Sequence, residues 1–90
     1  MRIEFDPAKD VENRRKHGVS LMAAADMDFD TALVREDTRF DYGELRYLAA
    51  GMIGDRLHML AFTMRGQVLR VISLRVANRK ERRDYGQGQG

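Results

Sequence analysis

Three stretches typical of β-strands follow one another in the second half of this chain, separated only by short glycine turns. They are residues 45–53, 56–64 and 67–76. The second stretch alternates between two faces, and the turns lie at Gly54 and Gly66. Such short connections join antiparallel neighbours, so the pattern predicts a β-meander within one sheet. A chain of 90 residues can bury one modest core around such a sheet.

Two helices are predicted before the sheet. Asp6 is a good N-cap, Pro7 suits the first helical position, and Gly18 ends a helix over residues 7–17. A second helix is predicted over residues 21–28, which carry an apolar stripe at helical spacing. The side chains expected to face the core from this second helix are Met22, Ala25 and Phe29.

A third helix is predicted after the sheet, because Asn78 is a good N-cap and Glu81 completes the layout of a capping box. Residues 32–37 predict a further strand at the edge of the sheet. The predicted fold class is therefore α+β, with two N-terminal helices, an antiparallel sheet of three to four strands and a short C-terminal helix. Residues 1–85 form the expected single domain, and residues 86–90, which alternate Gly and Gln, are expected to be disordered.

Positive charge is concentrated in the last third of the chain, although the net charge is only +2. Residues 65–85 hold seven Lys or Arg against two acids. Arginine on a strand face and at a helix start suits phosphate recognition, because a planar, permanently charged fork lies beside unpaired backbone N–H groups. Residues 21–45 instead hold seven acids against Arg35 and Arg39. This distribution indicates one face for a polyanion and another for a different contact; ordinary solvated charge is the alternative.

Several classes of site are excluded or disfavoured by the residues that the chain lacks. There is no cysteine, which excludes disulfides, thiol catalysis and zinc sites built on Cys. His17 and His58 lie far apart and without ligand spacing, so neither a metal nor a cofactor is expected. No stretch is apolar enough to span a membrane and the N-terminus lacks the pattern of a signal peptide, so we expect a cytoplasmic protein.

Five short motifs occur in a characteristic order along the chain. They are Lys16-His17-Gly18-Val19, Gly43-Glu44-Leu45-Arg46-Tyr47, Thr63-Met64-Arg65-Gly66, Arg70-Val71-Ile72-Ser73-Leu74-Arg75-Val76-Ala77, and Glu81-Arg82 with Tyr85. Their order and spacing resemble those of the BrnT toxins over residues 5–85. One departure is Leu74, where that family usually has a small residue.

The resemblance implies a RelE-like fold and the role of toxin in a type II toxin–antitoxin system. Such a toxin is a metal-independent endoribonuclease, without a cofactor, that cleaves RNA and arrests translation. The resemblance also implies neutralisation by a BrnA-like ribbon-helix-helix antitoxin, with which the toxin represses its own operon. Operator DNA is expected to be bound only through the antitoxin, because this chain offers no helix-turn-helix or ribbon reader.

The candidate site residues follow from the chemistry of metal-free RNA cleavage. The substrate's own 2′-hydroxyl is the nucleophile, so the protein supplies a base, an acid and cations around the phosphate. Histidine exchanges protons near neutral pH, and tyrosine can donate a proton or stack on a base. The catalytic candidates are Arg65, Arg75, His17 and Tyr85. The RNA-binding candidates are Arg46, Thr63, Arg70, Ser73, Arg79 and Arg82.

Each candidate also has a structural interpretation. Arg70 shares strand parity with Ile72 and Leu74, which would place it in a salt bridge beneath the sheet. A cation at position 17 suits the C-terminus of a helix, and Glu81 suits the capping box better than a role as catalytic base.

The predicted hairpin places Arg75 near Leu57, at the opposite end from Arg65. At about 3.3 Å per residue, roughly 20 Å separate the two arginines, so RNA is expected to lie along the sheet. Which end holds the cut is left open. An alternative function is a non-catalytic nucleic-acid-binding regulatory module, in which the same arginines only neutralise phosphates.

Overall fold

The computed structural model describes residues 2–89, which form a five-stranded sheet with helical segments on both faces. The strands are β1 (Arg2–Glu4), β2 (Leu33–Glu36), β3 (Tyr47–Ile53), β4 (Arg56–Arg65) and β5 (Val68–Val76). They lie in the order β1-β5-β4-β3-β2, and every neighbouring pair is antiparallel except β1 and β5. The predicted meander and the edge strand are confirmed.

The predicted count of three to four strands is wrong by one strand, β1. Its register joins Arg2 to Val68 and Glu4 to Arg70, so the parallel pairing links the two ends of the chain. A strand of three residues carries little sequence pattern of its own. Its pairing with a strand more than 60 residues away along the chain leaves no local signal that would reveal the partner.

Helix α1 (Pro7–His17) has the predicted ends. The Asp6 carboxylate accepts a hydrogen bond from the Ala8 N–H at 2.9 Å, and Gly18 adopts the left-handed conformation at φ 69°. Asn13 is buried and joins this helix to the edge of β5 beyond β1. Its amide donates to the Leu74 carbonyl at 2.7 Å and accepts from the Leu74 N–H at 3.2 Å. A side chain thus satisfies backbone groups that a longer β1 would have paired.

The second predicted helix is a 3₁₀ helix, Leu21–Asp26. Of its predicted core stripe, Phe29 packs against the core as expected, whereas the prediction is wrong for Met22 and Ala25, which are exposed. The buried side chains are Leu21, Ala24 and Met27, each three residues apart, whereas Met22 is 63% exposed. A 3₁₀ helix has three residues per turn, so every third residue falls on one face. The core between this segment and the sheet is formed by Leu21, Ala24, Met27, Ala49, Leu60, Phe62, Leu69, Val71 and Leu74.

A β-bulge shifts the register between β4 and β5. Ala61 pairs with Ser73 and Phe62 pairs with Val71, so Ile72 is the extra residue on β5. The predicted parity of Arg70 is therefore wrong: Arg70 faces the same side of the sheet as Ser73 and not that of Leu74. The salt bridge expected for Arg70 does exist on that side, with Glu4 at 3.2 Å.

Helix α2 (Arg79–Gln89) packs against the side of the sheet opposite the 3₁₀ helix. The capping box is confirmed, because the Glu81 N–H donates to Asn78 Oδ1 at 2.8 Å and the Asn78 N–H donates to Glu81 Oε1 at 2.9 Å. The sequence predicts disorder after Tyr85, but α2 continues to Gln89, and Gly90 lies outside the described residues. A Cβ at Gly88 would lie 2.6 Å from Leu33 Cδ1, so a larger residue at this position would require the Leu33 side chain to shift.

Candidate functional site

We use "open face" for the side of the sheet opposite the 3₁₀ helix. The register places side chains of three adjacent strands on it in matched rows. One end of the open face lies under α2. Most of its central side chains are half-buried, and Thr63 is buried. Its central side chains are Leu48 from β3, Met59, Ala61 and Thr63 from β4, and Arg70, Ser73 and Arg75 from β5.

The first concave site on the open face, the Arg75 pit, is a cavity of about 280 Å³. Three arginines converge on it from three parts of the chain: Arg35 from β2, Arg39 from the following loop and Arg75 from β5. Apolar side chains form its floor, so a bound anion would be partly withdrawn from water and strongly attracted. Its lining is completed by Leu48, Met59, Ala61, Ser73 and Glu81.

Glu81 fixes the guanidinium of Arg75 in the pit. Arg75 Nη1 and Nη2 donate to the two carboxylate oxygens of Glu81, each at 2.8 Å. The hydrogen bonds from Arg75 lower the pKa of Glu81 to about 2. Glu81 is therefore ionised at neutral pH, and its affinity for a proton is too low for an effective general base. Its role in this arrangement is to orient Arg75.

Arg39 is held in a second bidentate pair. Its Nε and Nη2 donate to the carboxylate of Asp37, each at 2.8 Å, and Asp37 is buried. These hydrogen bonds from Arg39 hold the pKa of Asp37 well below its usual range. Arg35, by contrast, is exposed and makes no ion pair with any residue between 2 and 89. The Arg75 pit therefore combines two anchored cations with one that is free to meet a ligand.

The second concave site, the Arg70 pit, is a smaller cavity of about 170 Å³. Arg46, Arg65 and Arg70 line it together with Lys9 from α1. Arg46 lies 3.3 Å from a Glu44 oxygen, while Arg65 is exposed and has no ion-pair partner in the described part of the chain. The remaining lining residues are Asp6, Glu44, Thr63, Val71 and Ile72.

The two pits lie along one line on the open face. In the register of β4 and β5, Arg75 lies opposite Met59, and Arg70 lies opposite Thr63, four residues further along β4. At about 3.3 Å per residue, roughly 13 Å separate these two rows. Arg65 lies at the hairpin end of β4, beyond Thr63, and lines the Arg70 pit, whereas Arg75 lines the other pit. The prediction that the two arginines lie at opposite ends of the hairpin is confirmed.

Some predicted site residues lie outside both pits. His17 is exposed at the end of α1 and lines neither cavity. The Tyr85 hydroxyl donates to the Thr31 carbonyl at 3.1 Å, which ties α2 to the loop before β2. Arg82 donates to the Ala77 carbonyl at 3.0 Å, and Arg79 is exposed at the start of α2.

Thr63 and Ser73, by contrast, both line the pits. Thr63 is buried, and its hydroxyl donates to the Leu45 carbonyl at 2.6 Å. Ser73 is half-buried beside Arg75. The catalytic and RNA-binding roles of all ten candidates stay predictions.

Sequence reasoning missed Arg35 and Arg39 because both lie in the acidic segment. Arg35 pairs across the sheet with Leu48, which turns it towards the open face. The available signal was that Leu33 and Arg35, two residues apart on a predicted edge strand, must share one face of the sheet. This signal shows where Arg35 lies only when the neighbouring strand is known. The acids near Arg35 in sequence then prove to point elsewhere or to be paired.

Within residues 2–89 there is no group of three or more His, Cys, Asp or Glu side chains that could hold a metal ion. None of the helices described there is long and apolar enough to cross a membrane. A third cavity, about 420 Å³, lies between α2 and β2, and most of its lining surface is apolar, so it does not suit a polyanion.

A family model for the ribonuclease toxin BrnT of type II toxin–antitoxin systems matches residues 5–81. The chain belongs to the BrnT family. The match covers both pits and ends at Glu81, the residue that orients Arg75. No curated protein matched the chain. Family membership makes this chain a ribonuclease toxin by family description and implies RNA as substrate and an antitoxin as partner.

Proposed function

We propose that this BrnT-family chain is a metal-independent endoribonuclease that binds single-stranded RNA along the open face and cleaves it at the Arg75 pit. The observation that carries the proposal is the convergence of Arg35, Arg39 and Arg75 on one cavity with an apolar floor. A second basic cavity lies about 13 Å away on the same face, so an RNA strand can place phosphates in both.

In the proposed reaction the 2′-hydroxyl of the substrate attacks the adjacent phosphorus and the 5′-oxygen leaves. The products are a 2′,3′-cyclic phosphate and a 5′-hydroxyl. Negative charge accumulates on the phosphoryl oxygens in the transition state, and fixed guanidinium groups stabilise it without reorganising. Arg75 Nη1 donates to the Val76 carbonyl at 3.5 Å as well as to Glu81, which leaves the Nε–H and one N–H of Nη2 to reach the phosphate.

Arg65, Arg70 and Arg46 are proposed to bind phosphates on one side of the cut, at the Arg70 pit. Ser73 lies between the cations with a half-buried hydroxyl on the path of the RNA. Thr63, whose hydroxyl is buried against the Leu45 carbonyl, completes the wall of the Arg70 pit. Fixed cations rather than a histidine supply most of the proposed rate enhancement, because neither pit is lined by a histidine.

The proposed partner is a BrnA-like ribbon-helix-helix antitoxin that covers the open face. We infer that the complex binds operator DNA through the antitoxin and represses its own operon, in the cytoplasm. Membership of a type II toxin family supports the partner, and the basic open face supports a cover of complementary charge. A RelE-like fold is part of the same proposal.

Growth and RNA analysis test this function directly. The chain is expressed alone and together with the reading frame next to it, and new 5′ ends of cellular RNA are mapped after induction. We expect growth arrest with new 5′-hydroxyl ends, and rescue by the neighbour. Growth arrest without new ends, or no arrest, would contradict the ribonuclease.

A non-catalytic nucleic-acid-binding regulatory module is the second candidate function. It is favoured by the absence of a histidine from the lining of both pits and by the low pKa of Glu81, which together leave no group with an obvious proton-transfer role. Specific binding of the operator by this chain alone, without RNA cleavage, would support it.

A further inference from the structure

The loop between β2 and β3, residues 37–46, contributes a cation to each pit and exposes an aromatic ring. Phe40 is 70% exposed, the largest exposed fraction among the large apolar side chains of residues 2–88. Arg39, its neighbour in sequence, lines the Arg75 pit, and Arg46, at the end of the loop, lines the Arg70 pit. The ring therefore lies on a segment whose two ends each place a cation in one of the pits.

Buried hydrogen bonds hold this loop in place. The carboxylate of Asp37 accepts from the Arg39 backbone, from the Arg39 guanidinium and from the Tyr42 hydroxyl, the last at 3.0 Å. The Asp37 N–H donates to the Arg46 carbonyl at 2.7 Å, which closes the base of the loop. These contacts hold the loop on both sides of Phe40, so little backbone entropy is lost when a ligand meets the ring.

Planar groups are grouped around Phe40. Its ring lies edge-on to Tyr42 with centroids 5.9 Å apart, and the Arg46 guanidinium lies 4.1 Å from the centre of the Tyr42 ring. Of the carboxylates near these rings, Asp37 is paired with Arg39 and Glu44 with Arg46. Asp41, which lies between the two rings in sequence, accepts a hydrogen bond from the Gly43 N–H. An exposed aromatic ring flanked by arginines is what binding of unpaired nucleic acid uses: stacking for the base and cations for the backbone.

We propose that Phe40 is a stacking platform for one unpaired nucleobase of the RNA, between the phosphates held by the two pits. This inference rests on the proposed function and specifies its substrate further. A base can lie flat on a protein ring only if it is not stacked in a duplex, so the substrate must be single-stranded at this nucleotide. Stacking tolerates every base, so Phe40 fixes the position of the strand and selects unpaired RNA rather than one sequence.

The chain contains no tryptophan, which makes a direct optical test available. Phe40→Trp introduces a single tryptophan, and Met22→Trp is the matched control, because Met22 is 63% exposed but lies on the 3₁₀ helix, behind the sheet. Each variant is titrated with a 2′-O-methyl RNA oligonucleotide, which lacks the attacking hydroxyl and is not cleaved. We expect saturable quenching for Phe40→Trp, weaker quenching with an oligonucleotide of abasic nucleotides, and none for Met22→Trp.

Binding of the same oligonucleotides is measured in parallel by the anisotropy of a label on the RNA. If the RNA binds Phe40→Trp and its fluorescence does not change, or changes equally with the abasic strand, the stacking inference is overturned. Phe40→Ala should weaken binding by about tenfold, and Phe40→Tyr should restore most of it. Because Phe40 is largely exposed, the folding of these variants is not at issue.

Cleavage assays separate this inference from the proposed function. If the native chain cleaves RNA and Phe40→Ala cleaves the same sites with unchanged KM, the inference fails and the ribonuclease stands. If the native chain cleaves no RNA but quenching occurs as expected, the ribonuclease proposal is contradicted. The stacking role of Phe40 is then supported for a protein that binds RNA without cleaving it. If Phe40→Ala leaves RNA binding intact and weakens only the complex with the antitoxin, Phe40 is a protein contact and the inference is overturned.

Discussion

Arg75 meets Glu81 through two hydrogen bonds of 2.8 Å in the Arg75 pit, whereas Arg70 meets Glu4 through one contact of 3.2 Å beside the Arg70 pit. Glu81 is itself fixed in the capping box of α2, while Glu4 lies on the three-residue edge strand β1. A cation that already has its final orientation stabilises a transition state most effectively, because no reorganisation is needed. A cation on a single contact can follow a moving phosphate, which suits binding.

Replacing the central arginine of each pit should therefore have different consequences. We expect Arg75→Ala to lower kcat for RNA cleavage by about 10²–10³-fold, the usual effect of losing a fixed donor to a developing charge. Arg70→Ala should mainly raise KM. Initial rates on a labelled RNA and growth after induction measure both effects. Arg83→Ala is the matched control, since Arg83 is exposed on α2 and lines neither pit.

Full toxicity of Arg75→Ala at normal expression would exclude Arg75 from catalysis. Unfolding of the variant, seen by circular dichroism, would instead assign Arg75 a structural role through its pair with Glu81. If Arg70→Ala lowers kcat and Arg75→Ala does not, the roles of the two pits are exchanged, and the RNA is cleaved at the Arg70 pit.

Salt dependence separates phosphate binding from catalysis in a second way. Each phosphate contact on single-stranded RNA contributes about 0.7 to the slope of log affinity against log salt. The double variant Arg65→Ala, Arg70→Ala should lower that slope by about 1.4 and weaken binding of an uncleavable RNA by about tenfold at moderate salt. Titrations at several salt concentrations measure it. An unchanged slope would mean that the Arg70 pit does not contact the backbone.

The pH dependence of the free energy of unfolding under acidic conditions tests the ion pair between Arg75 and Glu81. The pKa of Glu81 is lowered from an ordinary 4.5 to about 2 in the folded chain, so between these values the unfolded chain binds more protons. The contribution of the pair is therefore complete above about pH 4.5 and is lost as pH falls through about 2. Glu81→Gln keeps a capping-box acceptor and removes the charge.

At neutral pH this variant should be less stable by about 1 kcal/mol, since the pair is partly exposed and screened by water. The difference from the native chain should shrink as pH falls from 4.5 to 2, as measured by urea unfolding at several pH values. A difference independent of pH would show that the charge of Glu81 does not stabilise the fold.

Much of the fold could be predicted because its signals are local. Asp6, Gly18 and the capping box of Asn78 and Glu81 determine helix ends through contacts within a few residues. The pairing of β1 and the bulge at Ile72 could not be predicted, since both depend on which strand lies alongside. The bulge matters for function: it brings Arg70, Ser73 and Arg75 to one face.

The candidate site was predictable only in part for the same reason. Arg75 and Ser73 could be proposed from the basic strand, and both line one pit. Arg35 and Arg39 come from a segment whose net charge is negative, and only the edge pairing of β2 brings them to the open face. Segment charge is an average over sequence, whereas a ligand meets the charges that the sheet brings together in space.

Removal of divalent metal should have the smallest effect. We expect cleavage in excess chelator at an unchanged rate, because cations of the protein carry the charge stabilisation and no metal-ligand cluster occurs among residues 2–89. The two pits differ here as well. The Arg70 pit has the carboxylates of Asp6 and Glu44 in its lining, and the Arg75 pit has only Glu81. Cleavage that is lost in chelator and restored by Mg²⁺ would therefore point to the Arg70 pit, and Glu44→Gln should then lower the rate while Glu81→Gln should not.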